Sequence, residues 1–127
     1  MATQTLPRPA IHKNTVTNIV LWALQIGVAL MLLKAGFLKL TGNPMMVGMF
    51  GAIGLGQWFR YLTGSLEVIG SIGLLIPRVA GYAALLLAVV MAGAVLTHLM
   101  ILGGSPLMAA LLLAANLGIV WGRLWRE

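Results

Sequence analysis

The sequence predicts an all-α integral membrane protein: a four-helix bundle with a short interfacial helix between its first two helices. Three observations carry this. Of the 127 residues, 61% are hydrophobic and 8% are charged, against roughly 25% charge in an ordinary soluble domain. Such a chain cannot cover a water-facing surface. Four apolar segments approach the roughly 20 residues that cross a bilayer as a helix. Finally, only two residues are acidic, Glu67 and the last residue, Glu127, and Glu67 stands in a stretch from Leu62 to Ile76 with no other charge.

The segments run from about Thr17 to Leu38, Tyr61 to Ile76, Ala80 to Leu102 and Pro106 to Trp121. Residues 1–127 suit one small domain and are too few for two. The polar stretch from Met1 to Asn18 comes first. The apolar run behind it is too long for a signal peptide, and no small-residue cleavage site follows it. The breaks between segments have local causes. Asn43-Pro44 and Ser105-Pro106 each read as an N-cap followed by proline at the first helical position. Pro77 ends the second segment and turns with Arg78 into the third. Gly103-Gly104 ends the third.

The link from Thr41 to Arg60 is apolar. Met45, Met46, Met49, Phe50 and Ile53 recur at helical spacing, which predicts a short interfacial helix over about 44–53. Gly54 and Gly56 break it. Gln57-Trp58-Phe59-Arg60-Tyr61 follows as an aromatic and basic belt at headgroup level. A Met-rich stripe usually serves packing, but methionine also suits adaptable apolar sites; Met49, Phe50 and Trp58 are the candidate binding residues here.

The formal charge is +6, and the eight Lys and Arg are spread among segment ends and loops. That pattern points to membrane orientation and anionic headgroups, not to nucleic acid. With four spans, Arg8, Lys13, Arg78, Arg123 and Arg126 share one side. Lys39 and Arg60, with Lys34 close by, share the other. The excess predicts that both termini are cytoplasmic. There is no cysteine, which excludes a CxxC redox centre, a thiolate nucleophile and an iron–sulfur cluster held by this chain alone. Ala80, Ala84, Ala88 and Ala92 form one small-residue ridge, and Ala110, Ala114, Gly118 and Gly122 form another. Both permit close helix approach, within the bundle or toward a second copy.

Depth groups three ionisable residues. Glu67 lies about 9 Å into the second helix from its non-cytoplasmic end, and His98 and Lys34 lie about 6 Å in from the same side. Thr63, Gly64, Gly70 and Ser71 flank Glu67 three and four positions away, so a small polar face should point inward. As a structural group, Glu67 would pair with Lys34 or His98 and pin helices together. As a functional group, poised between desolvation and a nearby cation, it would relay protons with His98. His98 also reads as a hydrogen-bonded interface residue. The other histidine, His12, falls on the opposite side, so a bis-His heme within one chain does not suit. One carboxylate and one histidine are thin for a metal. Lys39 and Arg60 are expected to snorkel to the headgroups, and Gln25 and Asn116 to bridge helices.

Several segments together resemble the DoxX family of small bacterial membrane proteins. They are Lys34-Ala-Gly-Phe-Leu-Lys-Leu-Thr-Gly42, Phe50 with Ile53-Gly-Leu55, Tyr61-Leu-Thr-Gly-Ser-Leu-Glu67, Leu75-Ile-Pro-Arg78 and Met91-Ala-Gly-Ala-Val-Leu-Thr-His98. The likeness runs from the first helix to Gly122-Arg123. It implies a four-helix bundle in the bacterial inner membrane. The family takes its name from a subunit of an archaeal terminal quinol oxidase linked to thiosulfate:quinone oxidoreduction, and other members are associated with membrane complexes handling oxidative stress. Lys34, Lys39, Glu67 and His98 match its polar positions. The resemblance therefore implies an accessory or quinone-facing component of a membrane redox system, partnered by oxidoreductase subunits and holding no tight cofactor. Glu67 and His98 would be its proton-relay centre and Lys34 its counter-charge. Lys39, Arg60, Thr63, Ser71, Met49, Phe50 and Trp58 would line a binding surface. A proton-coupled small-molecule transporter and a non-catalytic scaffold or chaperone are the alternatives.

Overall fold

The computed structural model describes residues 8–125, with side chains from residue 15 onward. The expectations that rest on the side chains of Arg8, His12 and Lys13, and on Arg126, lie outside the described residues. The described residues form helices joined by short turns, with no strand among them.

Helix α1 spans Arg8–Leu40. Pro9 sits in its first turn, where a missing N–H costs nothing, and no breaker follows until Gly42. The chain leaves α1 through Gly42, whose φ of 74° is left-handed and suits glycine. Asn43 then caps α2 (Pro44–Ile53) by accepting from the Met45 N–H at 3.0 Å, with Pro44 at the first position. Gly54, at φ 85°, closes α2. Helix α3 covers Gln57–Leu74, so the aromatic and basic belt forms its first turns. After the turn around Pro77, α4 covers Ala80–Thr97. It runs on into a π-helical turn, His98–Leu102, closed by the Gly103 N–H donating to the His98 carbonyl five residues back at 2.9 Å. Ser105 accepts from the Leu107 N–H at 3.1 Å, but the N-cap of α5 (Leu107–Val120) is Pro106, one residue later than the sequence suggested, and α5 continues as a second π-turn through Trp125.

Helix α1 packs on α3, α3 on α4, α4 on α5, and α5 back on α1, while α2 rests on α3 and on the His98–Leu102 turn. Glycines set the crossings. A Cβ at Gly36 of α1 would lie 2.8 Å from the carbonyl oxygen of Gly64 on α3, so these helices meet backbone to backbone. A Cβ at Gly70 would lie 2.6 Å from Leu87 of α4, and one at Gly122 would lie 2.5 Å from Leu21 of α1. Close approach through small residues is how helices gain dispersion contact in lipid, where the hydrophobic effect does not drive them together. Leu32, Leu74, Leu87 and Ile119 form the fully buried centre.

The alanine ridge of α4 faces inward, with Ala80, Ala84 and Ala88 buried. The α5 ridge divides. Gly122 packs on Leu21, whereas Ala114 is exposed and a Cβ on Gly118 would meet nothing within 4 Å. Large apolar side chains also cover the outside, among them Leu30, Phe37, Ile69, Val89 and Leu111. A helix apolar on every side belongs in lipid. Three helices are long and apolar enough to cross a membrane: Thr15–Leu40, Ala80–Leu102 and Leu107–Trp125. The chain is a multi-pass membrane protein.

The two deep amides behave differently. Gln25 bridges helices as expected, donating to the Leu74 carbonyl at 2.7 Å and accepting from Arg123 Nε at 2.6 Å. Asn116 does not. Its amide donates to Leu112 of its own helix at 2.9 Å, because the residue four positions back is the nearest carbonyl on a helix.

Candidate functional site

Helix α3 buries a polar face. Arg60, Gly64, Glu67, Gly70, Ser71 and Leu74 are all buried, and they recur at the three- and four-residue steps that bring side chains to one side of a helix. Glu67 is 3% exposed, and its Oε1 lies 2.9 Å from Lys39 Nζ, itself 12% exposed. This is the pairing that a buried carboxylate requires.

Lys39, not Lys34, therefore supplies the counter-charge. Leu32, Gly36 and Lys39 share the face of α1 pressed against α3 by the Gly36–Gly64 contact. Lys34 lies five residues from Lys39, about 140° around the helix, and is exposed. Nor does Lys39 reach outward to the headgroups.

Arg60 also departs from the snorkelling expectation. It is 5% exposed, and its guanidinium donates to the Lys39 carbonyl near the end of α1 and, at 2.7 Å, to Gln57. The guanidinium centre stands 4.3 Å from the centroid of the Tyr61 ring. A cation at a helix C-terminus satisfies carbonyls that lack an intrahelical partner. Gln57 in turn donates to Val47 of α2 at 3.1 Å, and the Phe50 and Phe59 rings stand 5.8 Å apart. These contacts hold α2 across the end of the bundle.

Beneath α2 lies a cavity of about 490 Å³, within the range of small-molecule sites. Leu32, Ala35 and Lys39 of α1 line it, with Met46, Met49, Phe50 and Ile53 of α2. Leu62, Thr63, Leu66 and Glu67 of α3 form the next wall, and Val90, Met91, Ala94 and Thr97 of α4 another. His98, Leu102, Met108 and Leu112 also line it. The walls are apolar except at Lys39, Glu67, Thr63, Thr97 and His98.

Glu67, His98, Lys39, Thr63, Met49 and Phe50 thus reach one cavity. Lys34, Arg60, Ser71 and Trp58 are not among its lining residues. Ser71 donates to the Glu67 carbonyl at 2.6 Å within its own helix. Trp58 is 60% exposed and stands edge-on to Phe59. His98 sits on the π-turn, with Nδ1 3.2 Å from the Gly103 carbonyl oxygen. Such turns recur at functional sites because they swing a side chain out of α-helical register. The α5 contribution, Met108 and Leu112, was not singled out from sequence, since apolar periodicity on a helix apolar all round marks no face. Among the described residues, no three His, Asp or Glu side chains come together as metal ligands.

Chemically, the site offers an apolar volume with a charged pair and an imidazole on its walls. That suits an amphipathic ligand with a polar head. The profile of the DoxX-like family matches residues 23–122 of this chain. No curated protein and no solved structure matches it.

Proposed function

The chain belongs to the DoxX-like family, and on that premise we propose that it is a quinone-facing or accessory component of a membrane redox system, with the cavity as its ligand site. One observation carries this reading: an apolar chamber of about 490 Å³ that brings Glu67, Lys39 and His98 to its walls. A quinone-type molecule has the matching form, an apolar body with a ring bearing a few polar atoms. Glu67 and His98 are the proton-handling groups, and Lys39 holds the carboxylate.

In this reading α3 is a fourth span. Its 18 residues reach about 27 Å, close to the roughly 30 Å hydrocarbon thickness, and Leu62, Ile69 and Ile72 face outward. Helix α2 lies at the interface as a cover, its Met45 exposed while Phe50 is buried. The setting is the bacterial inner membrane with both termini cytoplasmic, as the Lys and Arg distribution suggests. Transport of lipophilic cations fits less well, because an ammonium already stands 2.9 Å from the buried Glu67 carboxylate.

Native mass spectrometry of the protein extracted gently from its own membrane tests the proposal. The expected result is a retained quinone or a stoichiometric oxidoreductase partner, with the quinone lost in Glu67→Gln. Recovery of the bare chain, or of a homo-oligomer carrying only phospholipid, would overturn it.

A further inference from the structure

The hydrogen bonds already made on the cavity wall decide which polar heads it can take. Thr63 donates its hydroxyl hydrogen to the Phe59 carbonyl at 2.9 Å, and Thr97 donates its own to Gly93 at 2.8 Å. His98 Nδ1 meets the Gly103 carbonyl at 3.2 Å. A carbonyl oxygen only accepts, so Nδ1 carries the hydrogen, and Nε2 of the neutral ring keeps a lone pair.

What remains for a ligand is mostly acceptors: Nε2 of His98, the oxygens of Thr63 and Thr97, and the Glu67 carboxylate oxygen that is not paired with Lys39. Among the described residues lining the cavity, the Lys39 ammonium is the one side-chain donor still offering hydrogens.

We infer that the cavity selects lipophilic molecules whose polar head carries an O–H or N–H donor, a phenol being the simplest, over ethers and carbonyls of the same shape. A hydroxyl donates to one of these acceptors while accepting from Lys39. A head that only accepts serves Lys39, but it displaces water and leaves a desolvated acceptor facing nothing. Unmet acceptors of this kind make polar sites reject analogues that lack the matching donor. The inference rests on the reading of the cavity as a ligand site. Within the quinone reading, it favours the reduced, hydroxylated ring.

The test is equilibrium binding of para-octylphenol and of its methyl ether to the protein in lipid nanodiscs, with empty nanodiscs subtracted. The phenol should bind at least about tenfold more tightly. His98→Phe and Thr97→Val, which remove acceptors, should bring the ratio toward one. Ala94→Phe, which fills the cavity, should abolish binding of both. Equal binding of phenol and ether, both lost in Ala94→Phe, would overturn donor selection and leave the ligand site standing. No binding above empty nanodiscs would overturn the ligand site and the selection with it. The His98→Phe ratio gives a readout that does not depend on Ala94→Phe folding: an unchanged ratio there and in Thr97→Val sinks the inference.

Discussion

Arg60 of α3 donates to the backbone carbonyl of Lys39 on α1, the same residue whose ammonium pairs with Glu67 one wall deeper. Lys39 is thus held at both ends by α3. Its backbone is fixed by a guanidinium and its side chain by a carboxylate. The pair gives α1 and α3 a single register, and that register sets the mouth of the cavity.

Lys39→Met should therefore be costly and Lys34→Met should not. Removing one partner of a buried ion pair leaves an uncompensated charge, a loss of about 3–5 kcal/mol. Titration with a denaturing detergent in mixed micelles reads this directly. Glu67→Gln added to Lys39→Met should recover part of the loss, giving a non-additive cycle. Equal effects of Lys34→Met and Lys39→Met would contradict the pairing.

Arg60→Met should cost about 1.5–3 kcal/mol, the range for hydrogen bonds to a charged group, by uncapping α1 and freeing Gln57. A headgroup-anchoring arginine would show almost no loss in the same unfolding assay, because micelles replace the headgroups equally well for both proteins. Proteolysis within α2 should rise in the variant, since Gln57 also ties α3 to Val47.

Glycine substitutions should split by neighbourhood. Gly36→Ala places a Cβ 2.8 Å from the Gly64 carbonyl and from Val68, so α1 and α3 must part, at about 1–3 kcal/mol. Gly27→Ala meets nothing within 4 Å and should be neutral or stabilising by up to about 1 kcal/mol, the helix preference for alanine. Comparable losses at both positions would remove the close-approach argument.

Local chemistry made much of this legible in the chain. Composition and the lengths of the apolar runs placed it in a membrane. Asn43-Pro44 and Gly54 marked the two ends of α2, because capping depends on neighbours in sequence. Glu67 stood out because an isolated carboxylate in an apolar stretch demands a partner. The spacing of Met49, Phe50 and Ile53 identified the face of α2 that covers the cavity. What sequence could not choose was rotation. Depth along the axis favoured Lys34 over Lys39, and only the Gly36–Gly64 crossing decides which of them faces Glu67. Arg60 turned inward because α1 ends beside it and presents the Lys39 carbonyl, which otherwise accepts only a long 3.4 Å bond from the Gly42 N–H, and Arg123 met Gln25 because α5 closes on α1. These pairings join residues between 21 and 98 positions apart. In helices that are apolar on nearly every side, no periodicity announces the packed face, so tertiary contact alone selects the partners.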